Sequence, residues 1–297
     1  VLKYAWMTGR MAFATLLFSF PVGMLGASGL IPTGTETFFA QAVSVLSVVG
    51  AVILARHFLD RRSLRSMGLA FNAQALRDAL AGVFFGGAAI WLIFNMHLFT
   101  RYTSIAGFAW QSYPWTQVLG ETLLMLVIFI ISGFSEELLF RGYWLRNLSD
   151  GLGPVLGVLL SSAAFSILHF FNPDFSLAAF MGTLLAGLLF AFAYLRTHQL
   201  WLGLGLHIGW NFFMNSVFGF TVSGIQAPSL MFQGVGGPAW FTGGGYGPEA
   251  GAVVLPGLLL ALVLVHEYSK RHQKANLYPA EPVQPAEEPG TVEVVES

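Results

Sequence analysis

The chain has 297 residues, of which 55% are hydrophobic and only 10% are charged, and its formal net charge is −1. Soluble proteins carry about 25% charged residues, so this composition excludes a water-soluble enzyme and a nucleic-acid-binding protein. The sequence has no cysteine, which excludes disulfides and thiolate metal sites. A mean hydropathy of +0.67 indicates a polytopic membrane protein.

Eight apolar stretches are long enough to cross the hydrocarbon core of a bilayer, which is about 30 Å thick and needs roughly 20 residues per helix. Because lipid offers no partner to backbone polar groups, all eight are predicted to be helices. They cover residues 6–27, 38–58, 78–99, 116–148, 153–172, 175–195, 200–220 and 250–267. The predicted fold class is therefore all-α, in an integral, multi-pass protein of the cell membrane.

The positive charges predict the orientation of these spans. The first span resembles a signal peptide, but its apolar run is long and a second span follows closely, which favours an uncleaved helix. With the N-terminus inside, all 14 lysines and arginines except Arg101 fall on the cytoplasmic side. Cytoplasmic loops carry an excess of such residues. Both termini are therefore predicted to be cytoplasmic.

Outside the spans, two segments differ in composition from the rest. Residues 221–249 are rich in glycine and aromatic residues, and Glu249 is their only charged residue. This loop is predicted to lie on the outer membrane face or to dip into it. Residues 275–297 are acidic and rich in proline, which predicts a disordered tail. The chain is accordingly divided into one membrane domain, residues 1–274, and this tail.

The fourth span contains a group of charged residues, Glu136, Glu137 and Arg141. An ionisable side chain in the middle of a membrane costs on the order of 2.5–3.5 kcal/mol on insertion scales, so each one suggests a functional site. Glu137 and Arg141 are four residues apart and are expected to pair on one helix face. Glu136 lies about 100° around the helix and lacks that partner. An ion-pair network that only braces helix packing is the alternative interpretation.

Two histidines occur in other spans with a second residue on the same helix face. Phe165 and His169 are four residues apart in the fifth span, and His207 and Asn211 are four apart in the seventh. Counted from the turn between the fourth and fifth spans, Glu136 and His169 lie at similar depth, roughly 22–28 Å away at 1.5 Å per residue. Their convergence is therefore expected, whereas the depth of His207 agrees less well.

Together these residues resemble the motifs of the CAAX-protease and bacteriocin-processing family of intramembrane proteases, which includes the type II CAAX prenyl endopeptidases. The family pattern is E-E-x-x-x-R, F-x-x-x-H and H-x-x-x-N on three membrane helices, and the resemblance covers roughly residues 116–215. It appears here as Glu136, Glu137 and Arg141, then Phe165 and His169, then His207 and Asn211.

The resemblance implies a role for each of these residues. Glu136 and His169 would position and deprotonate a water molecule, and His207 and Asn211 would donate hydrogen bonds to the oxyanion. Glu137, Arg141 and Phe165 would support the site. The implied substrate is a peptide or membrane protein within the bilayer, with no role for nucleic acid.

Three alternatives remain open from the sequence. The first is a zinc-dependent form of the same protease, since two histidines and a glutamate can bind catalytic zinc. The absence of an H-E-x-x-H motif favours a metal-free, glutamate-activated water. The second is a proton-coupled transporter that uses the buried glutamates and histidines as a relay. The third is a non-catalytic scaffold, which the intact motif residues disfavour.

Overall fold

A computed structural model describes the backbone of residues 36–275 and the side chains of residues 45–271. This part of the chain is mostly helical, and short π- and 3₁₀-helical segments extend or join its α-helices. In chain order the α-helices are α1 (Glu36–Leu54), α2 (Ala73–Phe99), α3 (Ala109–Ser112), α4 (Trp115–Glu137), α5 (Arg146–Leu152), α6 (Pro154–Leu168), α7 (Leu177–Thr197), α8 (Trp201–Phe212), α9 (Ala239–Thr242) and α10 (Val254–Ala275).

Four helical stretches in the described part of the chain are long and apolar enough to cross a membrane. Helices also occur at the predicted spans near 38–58, 200–220 and 250–267. The predicted span at 6–27 and nearly all of the predicted tail lie outside the described residues. The count of eight spans and the orientation of the termini therefore stay predictions. The four stretches are Ala73–Phe99, Trp115–Leu152, Pro154–Phe171 and Leu177–Thr197.

The all-α prediction missed a small antiparallel ribbon. Strand β1 (Thr103–Phe108) pairs with β2 (Met231–Val235), with Thr103 opposite Val235. The ribbon joins the segment after α2 to the glycine-rich loop, residues 221–249. Both strands are short and contain glycine, so their sequences lack the alternation that marks a strand. Pairing satisfies backbone groups that no helix includes.

Helices α2 and α8 approach each other closely because each carries two glycines four residues apart. A side chain at Gly82 or Gly86 would collide with the backbone of α8 at Leu202 or Leu206. Likewise, side chains at Gly205 and Gly209 would collide with the backbone of α2. Small residues with this spacing allow helix backbones to meet in membranes. The contact fixes α8, the helix that carries His207 and Asn211.

A buried ion pair connects the segment after α1 to the helix that carries the two glutamates. Arg56 donates to Asp60 at 2.8 Å, and the two side chains are 0% and 1% exposed. Asn147 donates to Asp60 at 3.3 Å, and the Tyr143 hydroxyl donates to it at 3.4 Å. The sequence predicts Arg56 as a cation on the cytoplasmic side of the membrane, and the structure shows in addition that its side chain is buried inside the helix bundle. Its charge is accommodated there because Asp60 is four residues away.

Candidate active site

The two glutamates lie where one long helix changes its winding. Helix α4 ends at Glu137, and the chain continues without a break as a π-helical segment, Leu138–Leu145, followed by α5. Such π-helical turns occur frequently at functional sites in α-helices. The carboxylates are thus inside a continuous helical stretch, Trp115–Leu152, as their apolar surroundings predict.

Glu137 forms the ion pair expected from its spacing to Arg141. Arg141 Nη1 donates to Glu137 Oε1 at 2.8 Å, and the two side chains are 0% and 2% exposed. The same carboxylate oxygen lies 3.1 Å from His207 Nδ1. Glu137 therefore connects α4 to α8 and has both a cationic partner and an imidazole partner.

Arg141 is held by an aromatic pocket and by one backbone carbonyl. Its Nη2 donates to the carbonyl oxygen of Gly187 at 3.0 Å. Its guanidinium carbon lies 4.5 Å from the centre of the Phe165 ring and 5.2 Å from that of Phe190. Cations are attracted to aromatic faces at such distances, especially away from water. Phe165 is 3% exposed, so these contacts are well shielded.

His207 lies between the two glutamates. Its Nε2 is 3.8 Å from Glu136 Oε2, which is too long for a hydrogen bond but within ion-pair distance. Because Glu137 is an acceptor for Nδ1, we assign the Nδ1 proton to this contact. His207 Nε2 therefore donates only when the ring is an imidazolium. Phe190 stacks on the ring with centroids 4.7 Å apart and an interplanar angle of 16°.

Glu136 differs from its neighbour in both exposure and partners. Its side chain is 35% exposed, against 2% for Glu137. Its Oε2 atom is buried and accepts no hydrogen bond from any described residue. A carboxylate oxygen without a protein donor keeps its lone pairs available to a reacting group.

His169 lies at the end of its helix. Helix α6 ends at Leu168, and His169 begins a 3₁₀ turn that continues to Phe171. The Phe165 carbonyl accepts a hydrogen bond from His169 Nδ1 at 2.8 Å. This assignment leaves Nε2 without a proton in the neutral ring, as a base requires. The imidazole packs on the edge of Phe165 with centroids 4.9 Å apart.

Asn211 follows His207 by one helical turn on α8 and is half-buried. Among the described residues, none forms a hydrogen bond with its carboxamide. The structure thus brings Glu136, Glu137 and His207 together, with Phe165 linking His207 to His169. The ring centre of Phe165 is 5.9 Å from that of His207.

Comparison with protein families gives a match over this part of the chain. Residues 118–213 match the family described as type II CAAX prenyl endopeptidase Rce1-like. The segment that carries the motifs is thus similar to this family. The match agrees with the resemblance predicted over roughly residues 116–215. No curated protein and no solved structure gives a significant match to the chain.

The segment that matches the family model includes two contributing residues that the sequence motifs do not contain. Gly187 accepts from Arg141, and any side chain there would press against Phe165 and Ser162. Phe190, three residues later on α7, stacks on His207. The signal that could have identified them is the spacing of a glycine and an aromatic residue on one face of the sixth predicted span.

The geometry of the candidate site gives no support to the zinc alternative. Within residues 45–271, no three His, Asp or Glu side chains are grouped so that they could hold one metal ion. Arg141 also occupies one side of Glu137, and a cation already in contact with a carboxylate opposes binding of a second one.

Proposed function

We propose that this chain is an intramembrane endopeptidase that hydrolyses peptide bonds with a water molecule activated by Glu136. The observation that carries the proposal is the asymmetry between two adjacent carboxylates. Glu137 is buried and paired with Arg141 and His207, whereas Glu136 is partly exposed and has an oxygen without a protein donor. The Glu137 carboxylate is thus engaged in structural contacts, and the Glu136 carboxylate is available as a general base.

In the proposed reaction Glu136 is the general base. Its carboxylate takes a proton from water while the water oxygen attacks the carbonyl carbon of the scissile peptide bond. His169 directs the same water through Nε2, because its Nδ1 proton is committed to the Phe165 carbonyl. A positioned base of this kind contributes about 10²–10⁴-fold to the rate.

The tetrahedral intermediate then needs donors for its oxyanion. The Asn211 carboxamide and His207, as an imidazolium, supply them from one face of α8, one helical turn apart. Collapse of the intermediate breaks the carbon–nitrogen bond, and Glu136 returns its proton to the leaving amine. The products are a carboxylic acid and an amine, which become a carboxylate and an ammonium group by proton transfer, and Glu136 is again ionised as at the start.

The family match suggests the substrate class. We propose a peptide or membrane protein of CAAX type or a related one, cut within the lipid bilayer by a multi-pass membrane enzyme with its site open to the cytoplasm. Four helices long and apolar enough to span a membrane support the location of the enzyme in the bilayer.

The test is cleavage of quenched fluorescent peptides that end in a CAAX sequence, with and without a prenyl group, by purified protein in liposomes. We expect Glu136→Gln to lower kcat by about 10³-fold and His169→Ala by about 10²-fold. The matched control is Glu121→Gln, which neutralises a carboxylate in the same helix whose one hydrogen bond among the described residues comes from Gln117, at 2.9 Å.

Three results would contradict the proposal. Equal cleavage by wild type and Glu136→Gln would mean that the water is activated elsewhere. Loss of cleavage in chelator with recovery in zinc would favour the metal-dependent protease. Proton-driven solute flux into liposomes without cleavage of any peptide would favour the transporter.

A further inference from the structure

The glycine-rich loop, which lies outside the family match, contains a buried carboxylate. Glu249 is 6% exposed and belongs to a 3₁₀ turn, Pro248–Ala250. In the described part of the chain, no lysine, arginine or histidine forms an ion pair with it. A buried charge without a counter-ion is costly unless it is fully hydrogen-bonded. The residues that donate hydrogen bonds to Glu249 therefore indicate what this carboxylate does in the structure.

One carboxylate oxygen of Glu249 contacts the helix that carries the proposed oxyanion donors. Trp210 Nε1 donates to Glu249 Oε1 at 3.2 Å. Trp210 is 1% exposed and lies between His207 and Asn211 on α8. The loop is thus attached to α8 within the same turn as the two donors.

The other oxygen of Glu249 contacts a strained turn. Ser223 donates to Glu249 Oε2 through its backbone nitrogen at 2.7 Å and through its hydroxyl at 2.8 Å. Ser223 has φ = +47°, a left-handed conformation that is unfavourable for a residue with a side chain. Two charge-assisted hydrogen bonds compensate for this strain.

From Ser223 the contacts continue to the turn that contains His169. Asn172 Nδ2 donates to the Ser223 carbonyl oxygen at 2.9 Å. The backbone nitrogen of Asn172 donates to the His169 carbonyl oxygen at 3.0 Å. Trp210, Glu249, Ser223 and Asn172 form a continuous chain of hydrogen bonds, which we name the Glu249 clamp. It joins α8 to the His169 turn, two elements of the site that otherwise meet through the Phe165 ring.

Close backbone packing leaves the clamp little room to move. A side chain at Gly182 would collide with the carbonyl oxygen of Glu249, and one at Gly224 would collide with that of Pro173. Tyr246 adds a polar contact, since its hydroxyl lies 3.3 Å from that of Thr183. Burial and the Glu249 carboxylate raise the pKa of Tyr246 to about 12, so its phenol keeps its proton at neutral pH.

We propose that Glu249 is a positioning residue that holds the His169 turn at a fixed distance from His207 and Asn211 through the Glu249 clamp. Its catalytic consequence depends on the function proposed above. Glu136 lies on α4 and His169 lies in the turn after α6, and in the proposed reaction both act on one water molecule. A misplacement of about 1 Å in such a site can cost 10²-fold in rate.

The distance itself can be measured without reference to activity. Because the chain has no cysteine, Phe171→Cys and Trp91→Cys accept two spin labels at defined positions. Phe171 is 89% exposed at the end of the His169 turn, and Trp91 is 57% exposed on α2, which packs against α8. Pulsed electron paramagnetic resonance in liposomes then reports the distribution of distances between the two elements.

Two substitutions break the clamp at Glu249. Trp210→Phe removes the indole donor and keeps an aromatic side chain. Glu249→Gln leaves one of the hydrogen-bond donors facing an amide nitrogen, which cannot accept a hydrogen bond. We expect the distance distribution to become at least twice as wide. In parallel, kcat should fall by about 10- to 100-fold while KM changes less than threefold. The matched controls are Trp240→Phe, which changes an indole that is 70% exposed, and Glu121→Gln. Both should leave the width and kcat unchanged.

Asn172→Ala breaks the clamp at a half-buried loop position and tests it even if the Glu249 and Trp210 variants do not fold. It should widen the distribution in the same way. An unchanged width in Asn172→Ala would overturn the clamp. A wider distribution with unchanged kcat would overturn the positioning role. If wild type cleaves no peptide, the proposed function fails, and the distance distribution still decides whether the clamp exists.

Discussion

Two buried ion pairs in this molecule are alike in sequence spacing, length and burial, yet only one belongs to the candidate site. The remote pair, Arg56 and Asp60, and the site pair, Glu137 and Arg141, each join residues four apart at 2.8 Å. Each lies beside or within a π-helical segment, and each side chain is at most 2% exposed.

The two pairs differ in what surrounds them. Neutral groups complete the remote pair, since Ser66, Asn147 and Tyr143 all bond to it. The site pair shares Glu137 with His207 and lies next to Glu136, whose Oε2 has no donor among the described residues. A buried Arg–carboxylate pair is therefore a sign of helix packing. A carboxylate oxygen without a hydrogen-bond donor, with a histidine beside it, is the sign of chemistry.

The largest effect should come from removing the cation of either pair. Arg141→Met and Arg56→Met each leave a buried carboxylate without its cation, which should destabilise the protein by about 3–5 kcal/mol. Thermal unfolding in detergent measures this loss. Adding Asp60→Leu to Arg56→Met should recover stability and cleavage, because an apolar pair can replace a buried ion pair. Adding Glu137→Leu to Arg141→Met should recover stability without cleavage. Recovery of cleavage in that second double variant would mean that both pairs are purely structural.

A smaller effect is expected from two asparagines, one near each pair. Asn211→Ala removes a proposed oxyanion donor and should lower kcat by about 10²–10³-fold, with KM and thermal stability nearly unchanged. Asn147→Ala removes a buried hydrogen bond at the remote pair and should lower stability by about 1–3 kcal/mol with kcat retained. Kinetics on peptide substrates and thermal unfolding separate the two outcomes. A similar loss of stability in both variants would mean that Asn211 stabilises helix packing and is not an oxyanion donor.

The smallest effect should come from the rings that stack on histidines. Phe190→Leu removes the ring that stacks on His207, a contact worth about 0.5–1.5 kcal/mol, and should lower kcat about two- to tenfold. The matched control is Phe192→Leu, because Phe192 stacks on His266 away from the site, with centroids 6.4 Å apart. Steady-state kinetics of both variants is the measurement. Equal losses of kcat would show that His207 needs no support from Phe190.

Much of the helical architecture could be predicted because membrane helices carry a strong local signal. Apolar length alone located the helices at 78–99, 116–148, 153–172 and 175–195 within a few residues of their observed bounds. The ribbon was missed because the pairing partner of Thr103–Phe108 lies far away, at Met231–Val235. A pairing between distant short segments leaves little trace in either segment.

Within the candidate site, the predictable part was likewise local. The spacing of Glu137 and Arg141 on one helix predicted their ion pair. The contact of Glu137 with His207 joins residues 70 positions apart, and no spacing rule connects them. The two glycine pairs that bring α2 against α8 were visible as Gly82, Gly86, Gly205 and Gly209, although the sequence does not say which helices they join.

The sequence by itself determined that this is a membrane protein, that its charged residues cluster on one helix, and that its motifs resemble those of a protease family. Composition, apolar length and motif spacing are properties of neighbouring residues, and they need no tertiary contact. Only the tertiary structure decided which glutamate is neutralised, that Arg56 is buried, and that Glu249 connects α8 to the His169 turn. Each of these depends on side chains from distant segments that meet in space, and their burial sets the energetic cost of every charge that remains unpaired.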